Sequence, residues 1–298
     1  MRIFSSASFA LPLPEGHRFP AQKYALLRQR VLAAQIVPSE QIIAPMAAQN
    51  SDLVRAHSLD YVQRVQWGEL SAAEIRRIGL PWSGSLVERS RRSVGATIEA
   101  CRAALEDGIA VSLAGGTHHA CRDYGEGFCV FNDSAVAAYA MLAEARVRRV
   151  AVIDCDVHQG NGTAQICQGD PAVFTFSIHA ANNFPFEKIP SDFDLELPDK
   201  TGDDAYLEAL RPALQICFER ARPDLVIYLA GADPYFDDRL GRLALSKAGL
   251  AARDQAVFAI CRAEGVPVAV TMAGGYARNI NDTVDINEQT VRLAVAAF

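Results

Sequence analysis

The chain has 298 residues, 50% hydrophobic and 21% charged, which is ample material for a folded core and excludes a disordered or collagen-like chain. Its 29 basic and 35 acidic residues give a formal charge of −6, so no general basic field exists to hold a nucleic acid, and a direct nucleic-acid partner is not expected. Seven cysteines, at 101, 121, 129, 155, 167, 217 and 261, form no CxxC pair and no even-numbered framework, and they read as reduced core thiols. The N-terminal MRIFSSASFALPLPEGHRFP lacks a long apolar stretch, and no apolar run reaches the roughly 18 residues of a membrane span, so a cytoplasmic chain without membrane contact is expected.

The N-terminal third reads as mainly helical, near 20–36, 51–68 and 84–106, and carries little chemistry. From residue 108 the pattern changes. Short β-rich runs, AVSLAG, RRVAVID, AVFTFSIH, DLVIYLAG and VPVAVTMAG, alternate with helical stretches near 133–146, 203–221, 246–264 and 282–297. Such alternation predicts an α/β fold with a mainly parallel sheet and helices on both faces. No repeat or low-complexity linker divides the chain, and 179–202 reads as one irregular loop, so residues 1–298 are expected to form a single domain.

Each β run leads into a polar or glycine-rich segment: GGTHHA (115–120), DCDVHQGNG (154–162), HAANNFPF (179–186), AGADP (230–234) and AGGY (273–276). Loops beyond the carboxyl ends of parallel strands meet in one crevice, where ligands bind. Asp156 and His158, two positions apart at a strand end, can face one ion. Asp233 supplies a third ligand, and three protein ligands leave an open position, as in catalytic rather than structural metal sites. An Asp2His set suits Zn2+ or Fe2+. Two anionic ligands temper the metal's Lewis acidity, so the reacting water needs a base; His118 and His119 are the candidates, and Asp154 and Asn161 can orient the two imidazoles. Tyr276 offers a phenolic donor to an oxyanion, and Phe128 with Phe184 or Phe186 can wall an apolar slot. GxSxG, P-loop and GxGxxG signatures are missing, which argues against a serine hydrolase, a P-loop NTPase and a simple dinucleotide enzyme.

In combination, GGTHHA, GEGFCVFND, VIDCDVHQGNGT, AGADPYFDDRLGRLALS and AGGY resemble the histone deacetylase family of zinc-dependent acyl-lysine amidohydrolases over nearly the whole chain. HQGNG with the NNFPF loop is most similar to the class IV branch and its bacterial relatives. The resemblance implies an arginase/deacetylase-like fold with Asp156, His158 and Asp233 as zinc ligands, His118 and His119 as tandem catalytic histidines, and Tyr276 as the oxyanion-binding tyrosine. It further implies Asp154 as the carboxylate behind His118, the Gly127 carbonyl as acceptor for the substrate amide, and Phe128 and Phe184 as tunnel walls. A K+ ion is implied beneath the zinc, near Asp154, Asp156, the carbonyls around His158, and Ser177.

Two departures stand out. Asn161 replaces the second carboxylate of class I members, as in classes II and IV, and GLPWSG lacks the acidic residue with which many members grip a peptide backbone. The expected activity is hydrolysis of the amide of an N-acyl-lysine or a small acylated amine, with the acylated amine more secure than the peptide; oligomeric state is left open. The alternatives are a non-catalytic acyl-group binder and an arginase-like ureohydrolase, whose second metal would need a carboxylate where Tyr235 stands.

Overall fold

The computed structural model describes residues 1–9 and 11–298. In chain order its elements are β1 (Ile3–Phe4), α1 (Gln22–Ala33), β2 (Ile42–Ile43), α2 (Asn50–Leu53), α3 (Leu59–Trp67), α4 (Ala72–Ile78), α5 (Gly84–Asp107) and β3 (Ile109–Ser112). There follow α6 (Asp133–Ala143), β4 (Val150–Asp154), α7 (Asn161–Cys167), β5 (Val173–Ala180), β6 (Phe193–Leu197), α8 (Asp203–Ala221), β7 (Leu225–Leu229), α9 (Lys247–Ala263), β8 (Val268–Thr271) and α10 (Ile280–Ala297). The strands form one sheet in the order β2-β1-β3-β8-β7-β4-β5-β6, with every pair of these neighbouring strands parallel.

Alternation along the central strands divides the core into two layers, because successive side chains point to opposite faces of a sheet. Val150, Val152, Leu225, Ile227, Leu229 and Ala269 pack with α5 and α6 on one face. Ala151, Ile153, Val226, Tyr228, Val268 and Val270 pack with α1, α8, α9 and α10 on the other. Both faces are covered, so these strands read as continuous apolar runs rather than as alternating ones. The long helix α5 starts where the Ser83 side chain accepts a hydrogen bond from Leu86 N and stops at Gly108, whose φ of 82° a side chain would resist.

This is the expected α/β architecture, with four local corrections. The segment 179–202 is not wholly irregular: β6 adds an edge strand, paired from Phe176↔Phe193 to Ala180↔Leu197. The expected helix over 51–68 is two helices. Ser58 restarts the chain as the N-cap of α3, and the adjacent His57 is drawn inward to Cys121 O at 2.9 Å. The short elements β1, β2 and α4 were not anticipated, since two-residue strands and a seven-residue helix carry too little periodicity to register. Finally, β4 ends at Asp154, so Asp156 and His158 belong to the following loop rather than to the pleat of the strand.

What positions the site is the middle of the sheet. β3, β8, β7, β4 and β5 are consecutive neighbours, and the five polar segments follow their carboxyl ends. Asp233 lies beyond β7, the direct hydrogen-bonded neighbour of β4, although the two strands are far apart in sequence.

Candidate active site

Four of the five segments line a cavity of about 1000 Å³, with His118, His119, Asp156, His158 and Tyr276 among the lining residues, and the fifth, AGADP, carries the fully buried Asp233. At its floor, one ligand atom each from Asp156, His158 and Asp233 lies within 4.8 Å of the others. Backbone amides hold the two carboxylates in place: Gly274 N donates to Asp156 Oδ2 at 2.7 Å and Val157 N to Asp233 Oδ1 at 3.0 Å. His158 Nδ1 faces both carboxylates, 2.9 Å from Asp156 Oδ1 and 3.3 Å from Asp233 Oδ2.

These residues fit a divalent cation. Among the described residues the buried Asp233 Oδ2 meets only His158 Nδ1, at 3.3 Å and without hydrogen-bond geometry, a costly condition for a carboxylate oxygen unless a further positive charge meets it. Burial, and then the Asp156 carboxylate, push the Asp233 pKa up to about 7 against the opposing pull of His158, as happens when two carboxylates share a site. Gly274 leaves the required space, for a Cβ there would come within 2.6 Å of Asp156 Oδ2 and closer still to Asp233 Oδ2. Asp233 is followed by Pro234 and Tyr235, and among the described residues this is the one cluster of three or more metal-type side chains.

The tandem histidines stand beside this cluster with their rings 4.1 Å apart, centroid to centroid. His118 Nδ1 is 2.6 Å from Asp154 Oδ2 and His119 Nδ1 is 2.7 Å from Asn161 Oδ1. Burial alone would lower the His118 pKa, but Asp154 and Asp156 outweigh it and raise it to about 9. His119 faces an amide instead. Burial, followed by the charges of His118 and His158, holds it well below the ordinary imidazole value.

Asn161 Nδ2 donates to Glu126 Oε1 at 2.6 Å, which fixes the direction of the amide. Its oxygen can only accept, so His119 Nδ1 carries the proton and Nε2 keeps a lone pair.

Tyr276 lies across the cavity. Asp238 Oδ2 accepts from Tyr276 N at 2.6 Å, and Arg239 Nε donates to Tyr276 O at 3.0 Å. Burial, then Asp233 and Asp156, push the phenol pKa well above its usual value, so the hydroxyl remains a donor. Phe128 packs 5.9 Å from the Tyr276 ring, and Phe184 meets His119 edge-on at 4.9 Å. Gly127 adopts φ 57° against the His119 ring, where a Cβ would sit 2.6 Å from Cδ2. Phe186 also lines the cavity but is 82% exposed, so of the two NNFPF phenylalanines Phe184 forms the inner wall. Ser177 is the register partner of Asp154 across β4 and β5.

Three contributors escape a reading of the sequence. Glu126 completes the His119–Asn161 chain from the GEGF turn. Lys23, buried on α1, donates to Ala273 O at 3.2 Å and Gly275 O at 3.4 Å and so holds the loop that carries Tyr276. Arg253, also buried, donates to Cys155 O and Gly231 O and ties together the loops bearing Asp156 and Asp233. Only the AGGY and DCD motifs hint at these partners, because each contact joins segments distant in sequence.

The doubly covered parallel sheet thus gathers a buried Asp–His–Asp cluster, a histidine pair and a tyrosine at the carboxyl ends of its strands. The histone deacetylase domain profile matches residues 17–291, and the chain belongs to that family. It is 45% identical over 276 residues to an uncharacterized protein of Picosynechococcus sp., covering 93% of this chain and 92% of the relative. Identity to histone deacetylase 2 of Arabidopsis thaliana is 31% over 286 residues, covering 90% and 73%. In fold it is similar to the crystal structure of an HDAC homolog from Aquifex aeolicus, with a TM-score of 0.83 at 23% identity over 98% of this chain and 83% of that one.

Proposed function

We propose that residues 1–298 act as one catalytic domain that hydrolyses the amide of an N-acetyl- or N-acyl-lysine, or of a related acylated amine, in the manner of the class IV branch. The observation that carries the reading is the convergence of Asp156, His158 and Asp233 within 4.8 Å beside the histidine pair, in the cavity that Tyr276 lines. Asp156, His158 and Asp233 would hold Zn2+, with Fe2+ the other ion this donor set suits, and Asp154, Asp156 and Ser177 a structural K+. When bound, the divalent ion would supply Lewis acidity to the scissile carbonyl and lower the pKa of water.

The chain's own groups account for the rest. His119 Nε2, with its lone pair toward the cavity, takes the proton of the attacking water; the C–O bond forms as the Tyr276 hydroxyl donates to the developing oxyanion. The C–N bond then breaks, and a histidine proton passes to the leaving amine, giving a free amine and a carboxylate. His118, bonded to Asp154, sets the local electrostatics. Phe128 and Phe184 flank the alkyl stem, and the Gly127 carbonyl, which accepts from Cys129 Sγ at 3.4 Å, would take the substrate amide on its second lone pair.

An assay of acetyl- and longer acyl-lysine peptides, acetylpolyamines and small acetylated amines, each with Zn2+ and with Fe2+, tests the reading and ranks the substrates. Release of the free amine is expected; binding of the acylated compounds without release would favour an acyl-group binder instead.

A further inference from the structure

Around the mouth of the cavity the charge balance of the molecule reverses. The chain as a whole carries −6, yet the lining includes five arginines, Arg18, Arg76, Arg77, Arg239 and Arg242, against two carboxylates. The two carboxylates offset them only in part. Asp156 belongs to the metal-type floor, and Glu126 accepts from Asn161.

The five arginines come from three separate parts of the fold: the segment before α1, the end of α4, and the turn between β7 and α9. All five residues are exposed. Of the five, only Arg242 has a carboxylate partner, Asp199 at 3.2 Å. Arg77 stacks over the Tyr124 ring at 4.8 Å, and Arg239 bonds the Tyr276 carbonyl, so these two guanidinium groups are held near the opening.

Basic residues in the last turn of a helix complement its dipole, which accounts for Arg76 and Arg77 on α4. It does not account for Arg18, Arg239 and Arg242, which lie outside any helix. A ring of like charges around a recess concentrates field at the opening and draws in ligands of opposite sign. The floor already provides the amide chemistry, so an anionic ligand here has its charge outside the tunnel, beside the acylated side chain rather than on the acyl group.

Building on the deacylase reading, we propose that the arginine rim selects acyl-lysine within acidic peptide sequence, with Asp or Glu flanking the modified lysine. The guanidinium groups replace the acidic rim residue that GLPWSG lacks: they engage the peptide through its side-chain carboxylates. Each pair is exposed and modest, so two or three acting together set a preference on the order of tenfold at low salt that fades as salt screens it.

Acetyl-lysine peptides of one length, flanked by Glu, by Ser or by Lys, test this on the metal-loaded protein, by acetate release and by fluorescence anisotropy of labelled peptides. The expected order is Glu, then Ser, then Lys. About tenfold is expected between the extremes, in KM and Kd rather than kcat, narrowing toward unity in molar salt. In the double variant Arg18→Ser, Arg76→Ser, whose side chains support no hydrogen bond of the fold, the ratio of Glu- to Lys-flanked affinity should fall severalfold.

Equal affinities for the three peptides, or a preference that survives high salt and both substitutions, overturns the rim proposal. The deacylase reading fails separately: charge-dependent binding without acetate release keeps the rim and removes the hydrolysis, while acetate release without charge preference does the reverse.

Discussion

His119, Asn161 and Glu126 form a chain in which each group decides the state of the next. The carboxylate orients the amide, the amide fixes the imidazole tautomer, and the imidazole presents a lone pair to the cavity. A neutral amide stabilises imidazolium less than a carboxylate would, in keeping with a His119 pKa well below the ordinary value. Asn161→Asp adds a negative charge at 2.7 Å from Nδ1 and should raise that pKa, so His119 stays protonated, and unable to act as base, up to a higher pH. The acidic limb of the kcat/KM profile should therefore move upward. A profile that only drops in height, with its limb unmoved, would assign Asn161 to holding the turn. Tyr276 tests the opposite end of the reaction. Tyr276→Phe keeps the ring packing against Phe128 and removes one donor, and it should lower kcat by about 100-fold or more with a smaller change in KM. Near-normal kcat by steady-state assay would take Tyr276 out of the chemistry.

At the scale of elements, α7 is the piece that presses the histidine pair into place. Gly162, in its first turn, lies so close to the preceding loop that a Cβ there would sit 2.3 Å from Ala120 O. Gly162→Ala should push residues 118–120 outward, costing about 1–3 kcal/mol of stability. Misplacement of catalytic groups by 1 Å can cost roughly 100-fold, so kcat/KM should fall by more than the melting temperature alone implies. Wild-type kinetics in a folded variant would contradict that coupling.

His57 does similar work from the turn between α2 and α3. Its Nδ1 donates to Cys121 O and its Nε2 accepts from Asn132 N, both at 2.9 Å, so the ring must be neutral, and burial lowers its pKa to about 4. The unfolded chain, with an ordinary value near 6.5, binds the proton more readily. The stability His57 contributes is thus complete above about pH 6.5 and lost as pH falls toward 4, a change of about 3 kcal/mol. Urea titrations across that window should show a shallower pH dependence in His57→Gln than in the wild type; parallel curves would refute the assignment.

The same turn explains what the sequence withheld. Residues 51–68 contain no Pro and a Gly only at the end, so the local sign of the break is the N-cap Ser58 alone, and the long-range contacts of His57 fix it. The five central strands were legible because both faces are buried and their apolar runs are unbroken. The edge strands β2 and β6 and the two-residue β1 beside β2 are short or half-exposed and carry no such signal. Asp156, His158, Asp233, His118, His119 and Tyr276 could be gathered from motif positions alone, since parallel strands bring their carboxyl-end loops together. Lys23, Glu126 and Arg253 could not, because their roles rest on contacts with backbone or amide groups of segments distant in sequence.

For the molecule as a whole, the cavity floor and the core are separable. The two apolar layers lie along the strands and helices, while Asp156, His158 and Asp233 sit in loops beyond the strand ends. Removing a divalent ion should therefore leave the fold intact and abolish turnover, in contrast to small metal-dependent domains in which chelation unfolds the chain. The most direct test is a metal titration of chelator-stripped protein, followed by elemental analysis, circular dichroism and hydrolysis of an acyl-lysine substrate. Turnover should rise in proportion to bound metal, saturate at one divalent ion per chain with no change in the dichroism spectrum, and fail to rise in Asp233→Asn; full turnover by the metal-free protein would contradict the account.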